Sequence, residues 1–79
     1  MSPCNIDHSL EDVQNKLVEQ LPFLPETLAQ RCKLFLTTQI NQHQLNELFH
    51  LLKKYDLSTD EEQIVRNRKI EELVEQLLY

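Results

Sequence analysis

Three polar residues of one predicted helix, His43, Glu47 and His50, have a spacing that places them on a common helix face. Residues three and four positions apart are neighbours on a helix surface. Neutral imidazoles and a carboxylate are ligands of transition metals such as zinc, so this set is a weak candidate metal site. It lies opposite the apolar stripe of the same helix, and no H-E-x-x-H motif is present. The sequence therefore favours a solvent-exposed polar face, and we expect neither a metal nor another cofactor.

The cysteines and serines offer little further chemistry. Cys4 and His8 have C-x₃-H spacing, but a structural zinc site needs two more ligands and no second cluster is evident. Cys32 falls among the apolar positions of a predicted helix, where a cysteine usually serves as a small buried hydrophobe. Ser9 and Ser58 precede helices as predicted caps, and no Ser/His/Asp arrangement can be inferred. We therefore predict that the protein is not an enzyme.

The composition excludes several classes of function. The 79 residues include no glycine, which glycine-rich phosphate loops, dinucleotide-binding fingerprints and G-x-S-x-G elbows all require. The formal net charge of −5 does not favour nucleic acid, because nucleic-acid affinity depends on neutralised phosphates. No secretory h-region and no apolar run of membrane-spanning length is found. We predict a soluble cytoplasmic protein, and the residue usage suits a low-GC bacterial genome.

Apolar residues recur at helical spacing along most of the chain, and no segment alternates as a β-strand does. Pro22 ends the first helical segment, and Pro25 suits the first position of the second. Pairs with capping-box spacing precede the other segments: Ser9 with Asp12, Asn41 with Gln44, and Ser58 with Glu61. The sequence predicts helices over about 9–21, 25–37, 42–55 and 59–78.

These segments predict an all-α fold, either a small four-helix antiparallel bundle or an orthogonal helical array. Residues 9–79 are predicted to form a single helical domain. Residues 1–8 carry turn formers and no periodicity, which predicts a flexible tail. A chain of this length buries only about 60% of the surface that its unfolded form exposes, so its core is thin.

The fourth predicted helix carries more apolar residues than one face can hold. Ile64 and Val65 point well away from the apolar group that follows them. Either the helix kinks near residues 66–69, or one group faces the core and the other a second molecule, or the array buries both faces. We predict that the C-terminal group is an interaction surface, made of Ile70, Leu73, Val74, Leu77, Leu78 and Tyr79.

The sequence thus predicts a small non-enzymatic protein–protein interaction or regulatory module, which binds a protein partner or forms a homodimer through its C-terminal helix. No membrane and no small-molecule substrate is inferred. The alternative is a helix-turn-helix-like DNA-binding protein that uses the third helix. The residues that would read DNA bases are Gln42, His43, Gln44 and Asn46. The acidic balance, and the lack of Arg or Lys beside these residues, speak against this alternative.

Overall fold

The computed structural model of this protein describes the backbone of residues 7–78 and the side chains of residues 7–75. Short turns connect four α-helices in this part of the chain, and no strand is present there. The helices are α1 (Leu10–Gln20), α2 (Glu26–Phe35), α3 (Gln42–Leu52) and α4 (Asp60–Leu78). Single turns of 3₁₀ helix occupy Leu21–Phe23 and Tyr55–Leu57. The predicted all-α fold is confirmed.

The helices contact one another in a ring whose order differs from their order along the chain. α1 packs mainly on α3, and α2 packs mainly on α4. Further contacts of α3 with α4, and of α1 with α2, complete the ring. The consecutive helices α2 and α3 are therefore not adjacent in it. The protein is a small helical bundle, but not one in which each helix packs mainly beside the next in sequence.

Two of the three predicted capping boxes are present. Before α1, the amide of Asp12 donates to the hydroxyl oxygen of Ser9 (3.0 Å), and the amide of Ser9 donates to the carboxylate of Asp12 (3.4 Å). Before α3, Asn41 and Gln44 form the same reciprocal pair at 2.8 and 3.0 Å. These bonds satisfy amides that have no partner within the helix. Local sequence therefore sets both helix starts.

The third predicted capping box, Ser58 with Glu61, is wrong by one residue. The amide of Glu62 donates to the hydroxyl oxygen of Thr59 at 3.2 Å, so Thr59 caps α4. Ser58 belongs to the preceding turn, because its own hydroxyl donates to the carbonyl of Lys54 at 3.0 Å. A serine followed by a threonine left both registers open at the sequence level.

The helix starts, and the end of α1, differ from the predicted ones by at most one residue, but α2 and α3 end two and three residues earlier than predicted. α2 ends at Phe35, whose carbonyl accepts a hydrogen bond from the hydroxyl of Thr38 (2.7 Å). This side-chain bond takes the place of a further helical turn. α3 ends at Leu52 rather than residue 55, because Lys54 adopts a left-handed backbone conformation (φ 58°, ψ 24°). That conformation turns the chain towards α4.

One hydrophobic core lies between the helices, and three residues of the predicted interaction surface belong to it. Ile70, Leu73 and Val74 expose at most 2% of their surface. They lie on the inner side of α4, which packs on α2, so no partner molecule can reach them. The assignment of these three residues to an interaction surface is therefore wrong. The side chains of Leu77 and Leu78, and all of Tyr79, lie outside the described residues.

His8, predicted to lie in a flexible tail, is instead held against α3. Its amide donates to the side-chain oxygen of Asn46 (2.9 Å), and its carbonyl accepts from the side-chain amide of Gln42 (2.7 Å). Its ring stacks on Phe49 with 3.6 Å between the ring centroids. Residues 1–6 of the predicted tail lie outside the described residues. Contacts between distant parts of the chain, which periodicity does not report, fix this segment.

Substitutions in α4 should distinguish its two apolar groups. Leu73→Ala should lower the free energy of unfolding by about 2–5 kcal/mol, because it opens a cavity in the core. Ile64→Ala should change it by less than about 0.5 kcal/mol, since that side chain is exposed. Urea denaturation followed by circular dichroism measures both values. Equal costs for the two substitutions would contradict the observed orientation of α4.

The cap of α4 can be tested in the same way. Thr59→Ala should destabilise the protein by about 1 kcal/mol, because the amide of Glu62 loses its acceptor. Ser58→Ala is the matched control and should cost less, because the Ser58 hydroxyl satisfies only an exposed carbonyl. A larger loss of stability for Ser58→Ala than for Thr59→Ala would instead support the predicted capping box of Ser58 with Glu61.

Candidate functional site

Hydrogen bonds to the turn that follows α3 determine how α4 is rotated. The hydroxyl of Tyr55 donates to Oδ1 of Asn67 (2.6 Å), and the side-chain amide of Gln63 donates to the Tyr55 carbonyl (2.9 Å). Nη1 of Arg66 donates to the carbonyl of Lys53 (2.7 Å), just beyond the end of α3. The N-terminal half of α4 therefore points polar side chains inwards, whereas its C-terminal half points apolar side chains inwards.

This rotation leaves Ile64 and Val65 on the outside of the protein. They expose 63% and 52% of their surface, whereas Ile70 on the same helix exposes none. α4 is a continuous helix from Asp60 to Leu78, so both groups of apolar residues belong to one element. Of the arrangements considered for this helix, the structure has one apolar group in the core and the other available to solvent.

Charged residues surround this exposed pair on the outer face of α4, which we define as residues 61, 64, 65, 68 and 72. At 100° per residue these positions lie on one side of the helix, opposite Ile70. Glu61, Arg68 and Glu72 are all exposed. The outer face thus has a small apolar centre of β-branched residues and a charged border.

An open groove of about 750 Å³ runs between α3 and α4 beside this face. Val65 and Leu51 supply its apolar lining, and Glu47 and Lys69 are among its charged residues. Arg66 also lines it. Its guanidinium donates to the Leu51 carbonyl through Nη1 (3.2 Å) and to the Glu62 carboxylate, four residues earlier on the same helix, through Nη2 (3.0 Å). Arg66 therefore stabilises the end of α3 and is not free to bind a ligand.

The structure does not assemble His43, Glu47 and His50 into a three-ligand metal site. His43 and Glu47 approach each other to 3.6 Å, but the His43 side chain is 85% exposed. The ring of His50 instead lies edge-on to Phe49 and to His8, with centroid distances of 6.0 and 5.4 Å. In the part of the chain that the structure describes, no group of three His, Cys, Asp or Glu residues could hold a metal ion. Cys4, which has C-x₃-H spacing with His8, lies outside that part.

The amides that the DNA-binding hypothesis requires take part in hydrogen bonds within the chain. The side chain of Gln42 donates to the carbonyl of His8 and to Oδ1 of Asn46, which also accepts from the His8 amide. The side-chain oxygen of Gln44 accepts from the Asn41 amide in the cap of α3. In addition, α2 and α3 are not adjacent in the ring of helices, whereas a helix-turn-helix packs these two elements together. These features give the hypothesis no support.

A second, smaller groove of about 210 Å³ lies between α1 and α2. Its apolar residues include Leu17, Val18, Leu21 and Leu36, and Lys33 stands beside them. Val18 is 64% exposed, but the other three side chains are buried or half-buried parts of the core and its edge. This groove therefore offers one exposed apolar residue where the outer face of α4 offers two neighbouring ones.

Burial holds two ionisable side chains in their neutral forms. It raises the pKa of the Cys32 thiol from its usual 9.0 to about 12. It also raises the pKa of Tyr55, although the hydrogen bond to Asn67 and the charge of Arg66 act in the opposite direction. Cys32 is fully buried, which agrees with its predicted role as a small hydrophobe.

The Cys32 thiol should be unreactive in the folded protein. In a Cys4→Ser background, where it is the one remaining thiol, a disulfide reagent should label it only as fast as the protein opens. Because its folded pKa is raised, its contribution to stability is fully present below pH 9.0 and is lost as the pH rises towards about 12. Stopped-flow measurements compare the labelling rate of Cys32 in the folded protein with its rate in the protein unfolded by urea. Equally fast labelling in both conditions would contradict the observed burial.

Resemblance to known proteins does not indicate a function for this chain. No protein-family model, no curated protein and no solved structure matches it. Among the helices that the structure describes, none is long and apolar enough to cross a membrane. The side chains presented by α4 are therefore the basis on which a function can be argued.

Proposed function

We propose that the protein is a small non-enzymatic protein–protein interaction module that binds its partner through the outer face of α4. The observation that carries this proposal is the exposure of Ile64 and Val65 side by side on a helix whose opposite side carries the buried residues Ile70, Leu73 and Val74. These two side chains contribute little to the core, so a role in the fold does not account for them. A protein partner would remove them from water.

The chemistry of the outer face supports this role. Complete burial of a valine or isoleucine side chain contributes about 1.5–3 kcal/mol, and Ile64 and Val65 retain more than half of their exposed surface for a partner to cover. Both are β-branched and therefore stiff, so ordering them on binding costs little entropy. Glu61 and Arg68 supply a charged border, which resembles the polar rim around the apolar centre of known interfaces.

The groove between α3 and α4 extends this surface. Val65 belongs to both, so one partner could cover the exposed pair and insert a side chain into the groove beside Leu51. Glu47 and Lys69, both exposed, stand at the groove with opposite charges. Such charges discriminate between partners more than they add to affinity.

The proposal includes a cytoplasmic location in a bacterium. The residue usage, with no glycine and a single alanine, supports a low-GC bacterial source. Within the described residues, Cys32 is a free buried thiol, which suits a reducing compartment.

Selection of displayed peptides tests the proposal and does not require the natural partner to be identified first. A library of helical peptides should yield ligands for the wild-type protein, and these should bind the double variant I64E/V65E at least about tenfold more weakly, a loss of about 1.4 kcal/mol. The reason is that two carboxylates would be desolvated at the centre of the interface. Leu34→Glu is the matched control, because Leu34 is also an exposed apolar residue (57%) but lies on α2.

The control variant should retain the affinity of the wild type. Circular dichroism should show that all variants remain folded, since the substituted side chains are exposed. Failure to enrich any ligand, or ligands that bind I64E/V65E as tightly as the wild type, would contradict the proposal. Binding of duplex DNA at low salt, weakened by Gln42→Ala, would favour the DNA-binding alternative instead.

A further inference from the structure

We propose that the partner of the outer face of α4 is a second copy of this chain, with the two α4 helices packed antiparallel about a twofold axis between Ile64 and Val65. This inference rests on the proposed function, because it uses the same surface. It goes further in naming the occupant and the relative orientation of the two helices.

The positions of the charges carry the inference. Glu61 precedes the midpoint of the Ile64–Val65 pair by as many residues as Arg68 follows it. With a rise of 1.5 Å per residue, each charge lies about 5 Å along the helix axis from that midpoint, in opposite directions. Both residues are exposed and lie near the centre line of the outer face. The centre of the face therefore carries an acid, an apolar pair and a base in symmetric order, and Glu72 lies one turn beyond the base.

Neither Glu61 nor Arg68 forms an ion pair within the described part of the chain. The ion pairs found there are Lys16–Glu19, Arg31–Glu75, His43–Glu47 and Glu62–Arg66. Residues 68 and 72 have the spacing of an i, i+4 pair, but they do not form an ion pair there. Glu61 and Arg68 thus remain available for a partner molecule.

An antiparallel pair of α4 helices satisfies both charges at once. Rotation by 180° about the proposed axis places Glu61 of one copy beside Arg68 of the other, and the symmetry makes this contact twice. The two Ile64–Val65 pairs then meet at the axis and cover each other. A parallel pair would place Glu61 beside Glu61 and Arg68 beside Arg68, which repel. The same surface is therefore complementary to itself in one of these two orientations only.

The expected dimer is weak. A single pair of helices buries less surface than a standard interface of about 1,600 Å². Each copy also carries a net charge of −5, which opposes association. We therefore expect a monomer–dimer equilibrium that depends on concentration, and that responds strongly to the charges at the interface.

Exchange of the interface charges tests this arrangement directly. Glu61→Arg and Arg68→Glu should each weaken self-association at least about tenfold, because each creates two like-charge contacts. An equimolar mixture of the two variants should associate about as well as the wild type, since every contact between the two variants joins opposite charges. The double variant E61R/R68E should also self-associate. Sedimentation equilibrium over a concentration series that reaches the millimolar range measures all four cases.

Lys33→Glu is the control for net charge, because it changes the charge of the chain by the same amount as Arg68→Glu but at an exposed position on α2. It should weaken self-association far less than Arg68→Glu does, because it adds to the net repulsion but creates no like-charge contact at the interface. A wild type that stays monomeric throughout the series, charge variants that dimerise like the wild type, or a mixture that does not recover would each overturn the inference. In any of these cases, displayed peptides that bind the wild type and not I64E/V65E would still support the interaction module with a different partner.

Discussion

Burial of Tyr55 in the turn between α3 and α4 is the constraint on which the outer surface depends. The left-handed conformation of Lys54 directs Tyr55 into the core, where it is 1% exposed and its hydroxyl binds Asn67. The backbone carbonyls of Tyr55 and Lys53 also accept hydrogen bonds, from Gln63 and Arg66 respectively. Because these three partners lie on one side of α4, their bonds determine which side of the helix faces inwards.

Further bonds tie the same turn to α1. The side chain of Gln20, which is buried, donates to the carboxylate of Asp56 and accepts from its amide, both at 3.0 Å. Among the described residues, no buried side-chain nitrogen or oxygen lacks a hydrogen-bond partner. An unpaired buried polar group costs about 1–3 kcal/mol, so rotation of α4 by a fraction of a turn would be unfavourable, because the buried Tyr55 would lose the Asn67 acceptor of its hydroxyl. The arrangement is therefore well determined although the core is small.

The apolar residues of α4 acquire their different roles from this constraint. Ile70, Leu73 and Val74 follow the polar inner residues along the same side of the helix and enter the core. Ile64 and Val65 remain outside, between an acidic and a basic residue. A surface built in this way can vary without disturbing the core, which suits a module that recognises another protein.

Local sequence was enough to predict the number of helices and their starts within one residue. These features depend on local chemistry: Ser9 and Asn41 cap the helices that follow them, and apolar periodicity marks the side of each helix that is buried. Periodicity also revealed that one face of α4 could not hold all its apolar residues, which is the signal that pointed to Ile64 and Val65.

Which of the two groups on α4 is buried depends instead on tertiary packing. Periodicity weighs apolar residues alone, and on that basis the C-terminal group was the better candidate for a partner surface. The structure instead buries Ile70, Leu73 and Val74 and exposes Ile64 and Val65. The reason is that Gln63, Arg66 and Asn67 bind a turn that the sequence predicted to be helical. The same limit applies to His8, whose contacts with α3 join residues more than thirty positions apart. Hydrogen bonds between segments distant in sequence leave no periodic trace, so the three-dimensional fold was needed to find them.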